Sequence, residues 1–563
     1  MLDLVIRRAT VVDGTGAERR VADIGVHDGR IVEVGTVDEA AARSVDGSGL
    51  VAAPGFIDIH THYDAQGFWD PALTPSPFHG VTTIIGGNCG FSIAPVDDGT
   101  ADYIMRMLAR VEGIPLESLQ QGVPWNWQTV DEYFDRLDGR LALNAGFMAG
   151  HSAIRRGVMR EAANERTATE NEIAAMQTAL REALAAGCLG FSSSRGAVHT
   201  DGDSRPVPSR FASVDEILTL SAVISEYDGT TLEMIPEVFN EDEIEIMAAM
   251  SIAAGRALNW NVMYPSSGTL DECLDRLRMS RQGAERGSNV FGLATPLPRI
   301  SLRSFLTGFV FDAFPGWRDA MSLPPDEKLR VLRDPAERKR LYDLSQQPNP
   351  LRFQAEWPQM LIVEAFGPDT KPFEGRVVGD IAVEQRKTPF DALLDIACAD
   401  GLRTLFRNYT PEDTVDDWQA RVDVMRDPRT ITGGSDAGAH LDMLSTFTYT
   451  TSLLENVVRK EELMTVEEVV HLLTQVPARL YGLHERGTIE VGKAADLVLF
   501  DSDTVGPKPV ETRFDLPGGA GRLYGEAYGV EQVIVNGTSI VSEGALTGET
   551  PGTLLRSGRD TRS

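Results

Sequence analysis

The sequence predicts an α/β protein built on a distorted (β/α)8 barrel, with a small β-sandwich formed by the two ends of the chain. Eight apolar, β-rich runs alternate with helical stretches, and polar residues collect where those runs end. Short strands separated by turns recur near both termini. Alternating strands and helices are typical of a barrel whose functional groups lie at the C-terminal ends of its strands.

The two terminal segments are expected to pair with each other. Short runs with strand character occur at both ends of the chain, at residues 4–6, 22–27, 30–35, 495–501 and 532–536. Neither end has enough strands for a sheet of its own. We therefore predict a β-sandwich from residues 1–54 plus 484–547, followed by a loose C-terminal tail at 548–563.

The predicted barrel occupies residues 55–483. Its eight strands are expected at residues 56–62, 81–88, 145–150, 188–192, 230–235, 257–263, 290–295 and 430–436. Helical patterns lie between several of them, at residues 170–186, 214–227 and 241–254. One barrel and one sandwich together account for a chain of 563 residues.

The connection at about 296–429 is far longer than a barrel needs. Long connections at the catalytic face are often lids or specificity elements, so we predict a lid-like insertion. Its aromatic residues either line an apolar substrate pocket or form the insertion's own core: Phe305, Phe311, Phe314 and Trp317.

The first barrel strand carries the most informative motif, PGFIDIHTHYD at residues 54–64. Side chains alternate across a strand, so His60 and His62 point the same way, with Asp58 behind them. Neutral imidazole is a zinc ligand, and a carboxylate two residues back suits the support of a ligand's tautomer. An isolated pair is equally typical of a solvated strand end or of core histidines, so the pattern alone leaves these alternatives open.

Four further motifs decide between these alternatives. They are GVTTIIGGNCGFSIAPV at 80–96, GHSAIRR at 150–156, ITGGSDA at 431–437 and LTQVPARLYGLHERGTIEVGKAADLVLFD at 473–501. Together with the first motif they resemble the amidohydrolase superfamily and, within it, the N-acyl-D-amino-acid deacylase (D-aminoacylase) family. The likeness covers most of the chain and implies a distorted barrel plus a small β-sandwich built from both chain ends.

The resemblance implies a role for each residue that matches the family pattern. His60, His62 and Asp436 match residues that hold a metal, and Asp436 also matches the carboxylate that takes a proton from the attacking water. Cys89 matches a cysteine whose thiolate binds zinc. The expected cofactor is Zn²⁺, as one or two ions, with another divalent metal left open. The alternative for Asp436 is a helix N-cap.

The chain departs from the family where two further histidine ligands are expected. The fifth strand has the sequence TLEMIP around Glu233 and the sixth has LNWNVMY around Asn261, so both histidines are absent. Met263 also replaces a lysine that helps to hold the substrate carboxylate. Either Glu233 has taken over as a metal ligand or only the first-strand site is filled. A further alternative is that Glu233 is a buried carboxylate paired with Arg195 or Arg256.

Other candidates follow strands or lie in loops. His151 matches a family histidine and is predicted to polarise the substrate carbonyl, with a structural cap as the alternative. Arg195 and His199 lie on a loop after the fourth strand, where barrels place active-site residues, and are predicted to bind substrate. An ordinary exposed loop histidine is the alternative for His199. His440, four residues beyond Asp436, is predicted to bind substrate or to reach the metal.

Composition argues against several classes of partner. The chain has 53 basic and 83 acidic residues and a formal charge of −30, which argues against nucleic acid or an anionic membrane. No stretch resembles a membrane span or a signal peptide, so a cytoplasmic protein is predicted. The 4 cysteines lack close pair spacing, which argues against a disulfide framework. A small-molecule substrate is expected, and association into a homo-oligomer is left open.

Three functions compete. The first is a metal-dependent hydrolase that cleaves a linear amide, as in N-acyl D-amino acid deacylation, by a metal-activated water with Asp436 as proton shuttle. The second keeps the fold and the metal but opens a cyclic amide or a lactone, because the lost lysine and histidines leave carboxylate recognition in question. The third is a non-catalytic binding protein, which the joint retention of His60, His62 and Asp436 disfavours.

Overall fold

The computed structural model describes residues 1–97, 99–298, 300–308, 310–349 and 351–563. The chain divides into two compact units. The first contains Met1–Pro298, Asp413–Leu441 and Ser445–Ser563, and the second contains Arg299–Glu412 and Asp442–Leu444. The site of interest lies in the first unit.

The first unit contains a closed barrel of eight parallel strands. They are Phe56–Asp58, Val81–Gly86, Asn144–Phe147 with Ala149–Gly150, Gly190–Ser194, Thr231–Ile235, Leu258–Met263, Val290–Ala294 and Thr430–Thr432. The third strand is interrupted at Met148, whose N–H donates to Gly86 O at 2.9 Å. The ring closes between the eighth and first strands, where His62 N–H donates to Ala437 O at 2.7 Å. The predicted barrel is confirmed.

Helices connect the barrel strands and cover the barrel. The longer ones are Ala101–Val111, Leu116–Gly122, Val130–Leu137, His151–Met159, Glu170–Ala185, Val214–Val223, Glu241–Ala254, Leu270–Ala284, Val415–Met425, Val466–Leu473 and Gln475–Leu480. Several begin where a polar side chain caps the first turn. Thr169 and Glu172 form a capping box, and Ser213 and Asn240 each accept a backbone N–H three residues ahead. Such caps satisfy N–H groups that have no partner within the helix.

The two chain ends pair with each other, as predicted, and their strands join in one nine-stranded sheet. Its nine strands are Leu2–Val11, Arg20–His27, Arg30–Gly35, Ala41–Asp46, Val51–Pro54, Leu497–Phe500, Val530–Val535, Thr538–Ser542 and Ala545–Leu546. Val51–Pro54 and Leu497–Phe500 pair in antiparallel register and join the two halves. Leu4, Ile24 and Leu497 belong to one buried cluster, so both ends share a hydrophobic core.

The C-terminal tail is ordered, and the prediction of a loose segment was wrong. Leu554 and Leu555 are 1% and 0% exposed. Ala145, in the third barrel strand, receives a hydrogen bond from Leu555 N–H at 2.8 Å and donates one to Thr553 O at 3.1 Å. The tail therefore pairs with the barrel wall through its backbone and buries its two leucines there.

The second unit has its own core. It contains helices Arg318–Met321, Pro325–Arg333, Pro335–Ser345, Val378–Gln385 and Pro389–Ala399 and strands Met360–Glu364 and Leu405–Asn408. The four aromatic residues named above are at most 2% exposed and belong to its buried cluster. The structure therefore supports the core interpretation over an apolar substrate pocket. The unit ends before the predicted limit of 429 because Val415–Met425 is the helix that precedes the last barrel strand.

Across the described ranges, no helix combines the length and the apolar character needed to cross a bilayer.

Candidate metal centre

Four predicted ligands meet at the C-terminal ends of the barrel strands. Cys89 Sγ lies 3.4 Å from His60 Nε2 and 3.9 Å from His62 Nε2. Asp436 Oδ1 lies 3.5 Å from His60 Nε2 and 3.2 Å from His62 Nε2. The thiol and the carboxylate thus each approach both imidazoles.

These distances match the edges of a zinc tetrahedron. Zn–N, Zn–S and Zn–O bonds of about 2.0–2.3 Å at tetrahedral angles place a nitrogen about 3.5 Å from a sulfur and about 3.4 Å from an oxygen. The observed distances scatter around both values. His60, His62 and Cys89 therefore form a donor set that fits a zinc ion, and Asp436 Oδ1 lies against both imidazoles. Three protein ligands leave the fourth position of a catalytic zinc open to water.

Local backbone geometry presents two of these ligands. Cys89 lies in a short 3-10 turn after the second strand with φ of 59°, and Asp436 follows the eighth strand with φ of 57°. Positive φ is uncommon for residues other than glycine and is typical of functional sites. His60 and His62 continue the first strand, where Asp436 N–H donates to His60 O at 3.1 Å. The first and last strands thus hold three of the ligands in fixed register.

The electrostatics of the site favour a bound cation. Burial, followed by the charges of Glu233, Glu112 and Asp436, raises the pKa of the Cys89 thiol well above its usual range. Burial also raises the pKa of Glu233 to about 8. Burial alone would raise the pKa of Asp436 too, but its contacts with His60 and His62 hold that pKa well below the usual range. A divalent cation among these donors would stabilise their charged forms.

Glu233 lies beside the site but is held by hydrogen bonds. Its Oε2 accepts the Cys89 backbone N–H at 2.8 Å, and its Oε1 accepts from Asn261 Nδ2. Neither predicted arginine partner reaches it. Arg195 Nε donates to Glu243 Oε1 at 2.9 Å, and Arg256 Nη2 donates to Tyr227 O at 2.8 Å.

His151 lies outside the cluster of donor atoms. Its Nδ1 is 2.8 Å from Ser193 Oγ and its Nε2 is 3.0 Å from Glu216 Oε1. Arg155 donates to the same carboxylate at 2.6 Å. His151, Arg155 and Glu216 are all fully buried, so this arrangement is a satisfied internal network. Both ring nitrogens of His151 are thus occupied by side chains, and the His151 side chain does not cap the helix that it begins.

The loop histidine is closer to the site. His199 Nδ1 lies 2.7 Å from Ser194 Oγ, at the end of the fourth strand, and its ring packs against Phe91. Burial, followed by the charges of His440 and His62, lowers the pKa of His199 to about 3. Phe91 and His62 line the same small cavity. His199 is therefore a partly buried neighbour of the ligands and not a freely exposed histidine.

Glu112 is a site residue that the sequence did not reveal. It follows helix Ala101–Val111, is 3% exposed, and its Oε1 lies 3.6 Å from His62 Nδ1. It belongs to no recognised motif, and a glutamate at a helix end is usually solvated. The packing of helix Ala101–Val111 against the barrel places Glu112 beside His62.

The comparisons with known proteins identify the family. Residues 43–295 and 401–541 match the model of the amidohydrolase family. The chain belongs to this family. As an amidohydrolase it acts on carbon–nitrogen bonds other than peptide bonds. The family model does not match residues 296–400, and almost all of this stretch belongs to the second unit.

This amidohydrolase resembles characterised deacylases over its whole length. It is 29% identical to the D-aminoacylase of Alcaligenes xylosoxydans xylosoxydans, covering 98% of this chain and 97% of the relative. It is 27% identical to the N-acyl-D-glutamate deacylase of the same organism, covering 99% and 96%. The solved structure of N-acyl-D-glutamate deacylase from Bordetella bronchiseptica, complexed with zinc and a phosphonate inhibitor, is 25% identical, covers 99% of both chains and has a TM-score of 0.66.

Proposed function

We propose that this amidohydrolase removes the acyl group from N-acyl D-amino acids and that it holds zinc to do so. The observation that carries the proposal is the cluster of His60, His62 and Cys89, with Asp436 Oδ1 at 3.5 and 3.2 Å from the two imidazoles. Whole-length similarity to two D-amino-acid deacylases supports the substrate class, and the zinc in the solved relative supports the metal.

The chemistry divides between the metal and the protein. A zinc ion held by these residues would lower the pKa of a water molecule and polarise the scissile carbonyl. Asp436 accepts a proton as the water oxygen bonds to the amide carbon. The same carboxyl then donates that proton to the nitrogen as the C–N bond breaks, so the products are a carboxylic acid and a free amine.

The proposal keeps His199 and His440 as substrate contacts. Their imidazoles are electrostatically coupled to His62 and lie next to the ligands. Arg195 is different because its guanidinium is already paired with Glu243, and Met263 is fully buried.

We further propose that the protein works in the cytoplasm on small molecules and not on nucleic acid. All four cysteines are buried and free, and the Cys89 ligand is needed as a thiolate. A formal charge of −30 disfavours a polyanionic partner.

A panel of N-acetyl D- and L-amino acids tests the proposal. We expect zinc-loaded protein to release amino acids from the D-series and a chelator to abolish turnover, with added Zn²⁺ restoring it. Free acids should be cleaved faster than the corresponding amino-acid amides. The proposal fails if folded, zinc-loaded protein cleaves no member of the panel, or if metal-free protein retains full activity.

A further inference from the structure

Glu112 is a buried carboxylate with no part in the chemistry described above. Its side chain is only 3% exposed. Its Oε1 lies 3.6 Å from His62 Nδ1. A carboxylate kept in such surroundings loses solvation energy, so its position there calls for a partner that stabilises its charge.

The two nitrogens of His62 face different partners. Nε2 faces Cys89 and Asp436, while Nδ1 faces Glu112. Glu112 therefore approaches the Nδ1 edge of His62, and a Glu112 carboxylate oxygen also lies within 4.8 Å of an Asp436 carboxylate oxygen. The other strand-one ligand has no equivalent: His60 Nδ1 is buried without a hydrogen-bond partner among the described residues.

Asp58 does not fill this role for His60. Its Oδ1 accepts the His60 backbone N–H at 3.4 Å, and its Oδ2 has no hydrogen-bond partner in the described part of the chain. The sequence had suggested Asp58 as the carboxylate that supports a ligand. Glu112, from a different part of the chain, lies beside the other histidine of the first strand, His62.

We propose that Glu112 is a positioning residue for His62. Its carboxylate accepts the Nδ1 proton, which fixes the tautomer that leaves the Nε2 lone pair free for the metal and restrains the ring plane. This inference rests on the proposed metal site. Carboxylates behind metal-bound histidines act in this way in many metalloproteins, and their loss typically weakens metal binding about 10- to 100-fold.

The backbone around Glu112 is fixed in place. Glu112 O accepts the His440 N–H, and a Cβ at Gly113 would lie 3.3 Å from His440 Cα. The preceding helix, Ala101–Val111, buries Ile104 and Met107. The segment that carries Glu112 is therefore restrained by the packed helix before it and by its hydrogen bond to the loop that follows Asp436.

Zinc affinity of the metal-free protein is the decisive measurement. Chelator competition would give the dissociation constant for Zn²⁺ in wild type, Glu112→Gln and Glu112→Asp, and circular dichroism of each metal-free protein would check the fold. We expect Glu112→Gln to weaken binding about 10- to 100-fold, with Glu112→Asp between the two. Glu467→Gln is the control, since Glu467 is also nearly buried but pairs with Arg19. It should bind Zn²⁺ like wild type.

Two results would overturn the proposal. One is an unchanged zinc dissociation constant in folded Glu112→Gln; should that variant not fold, an unchanged constant in Glu112→Asp decides instead. The other is a Co²⁺ absorption spectrum that changes coordination number in Glu112→Gln, which would make Glu112 a ligand. Neither readout depends on substrate. A protein that binds zinc in a Glu112-dependent way but cleaves no N-acyl amino acid would refute only the proposed function.

Discussion

Some residues of this site could be predicted from the sequence and others could not. His60, His62, Cys89 and Asp436 stand in motifs, so their convergence could be predicted from order along the chain. Glu112 could not be found that way, because its position depends on how one helix packs. The arginine pairing expected for Glu233 failed for a similar reason: Arg195 and Arg256 each find a nearer acceptor, which spacing in the sequence does not reveal.

A substitution at Asp436 tests the proton transfer separately from metal binding. Asp436→Asn keeps the size of the side chain but cannot accept a proton at neutral pH, so kcat should fall about 10²- to 10⁴-fold. Elemental analysis at saturating zinc and the melting temperature should show that the variant is folded and loaded. A folded, zinc-loaded Asp436→Asn with near wild-type kcat would rule out the proton shuttle.

Arg195 is expected to contribute to stability and not to substrate binding. Its guanidinium pairs with Glu243, whose side chain is 6% exposed, so Arg195→Ala leaves a nearly buried carboxylate without its partner. We expect the free energy of unfolding to fall by roughly 1–3 kcal/mol while KM stays within about twofold of wild type. Urea unfolding and steady-state kinetics measure the two effects. A large rise in KM without loss of stability would restore Arg195 as the carboxylate anchor.

At the scale of elements, sequence patterns predicted strands and helix starts better than boundaries set by tertiary contacts. The predicted helix at 170–186 is observed as Glu170–Ala185 because its capping box is local. The tail was misjudged because residues 551–563 have little regular structure of their own and are ordered by backbone hydrogen bonds to distant segments, at Leu141, Ala145, Gly187 and Gly482. The insertion limit was misplaced because one helix beyond Glu412 belongs to the barrel.

The tail's contribution can be measured at one leucine. Leu555→Ala removes a fully buried side chain and should lower the free energy of unfolding by about 2–5 kcal/mol. Leu546→Ala is the matched control, because Leu546 is 39% exposed and should change stability by roughly 0.5 kcal/mol or less. Equal effects of the two substitutions on urea unfolding would mean that the tail does not pack as described.

At the scale of the whole molecule, His79 forms hydrogen bonds to parts of the chain that are distant in sequence. Its Nδ1 lies 2.7 Å from Thr451 Oγ1 and its Nε2 lies 3.1 Å from Gly525 O, so it joins the loop after the first strand to a late helix and to the C-terminal segment. The side chain is fully buried. Burial lowers the pKa of His79 to about 4, which makes the neutral ring part of the folded structure.

The lowered pKa of His79 makes the free energy of unfolding depend on pH. The unfolded chain takes up the proton near pH 6.5 and the folded protein only near pH 4, so stability falls as the pH drops between these values, by about 3 kcal/mol in total. Buried acids with raised pKa values, such as Asp64 at about 7, act with the opposite sign and gain stability over the same fall in pH. The effect of His79 must therefore be measured as a difference between wild type and a variant.

Urea unfolding at pH 7.5 and pH 5 should show a smaller loss of stability in His79→Asn than in wild type. Identical pH dependence in both proteins would show that His79 does not remain neutral in the fold.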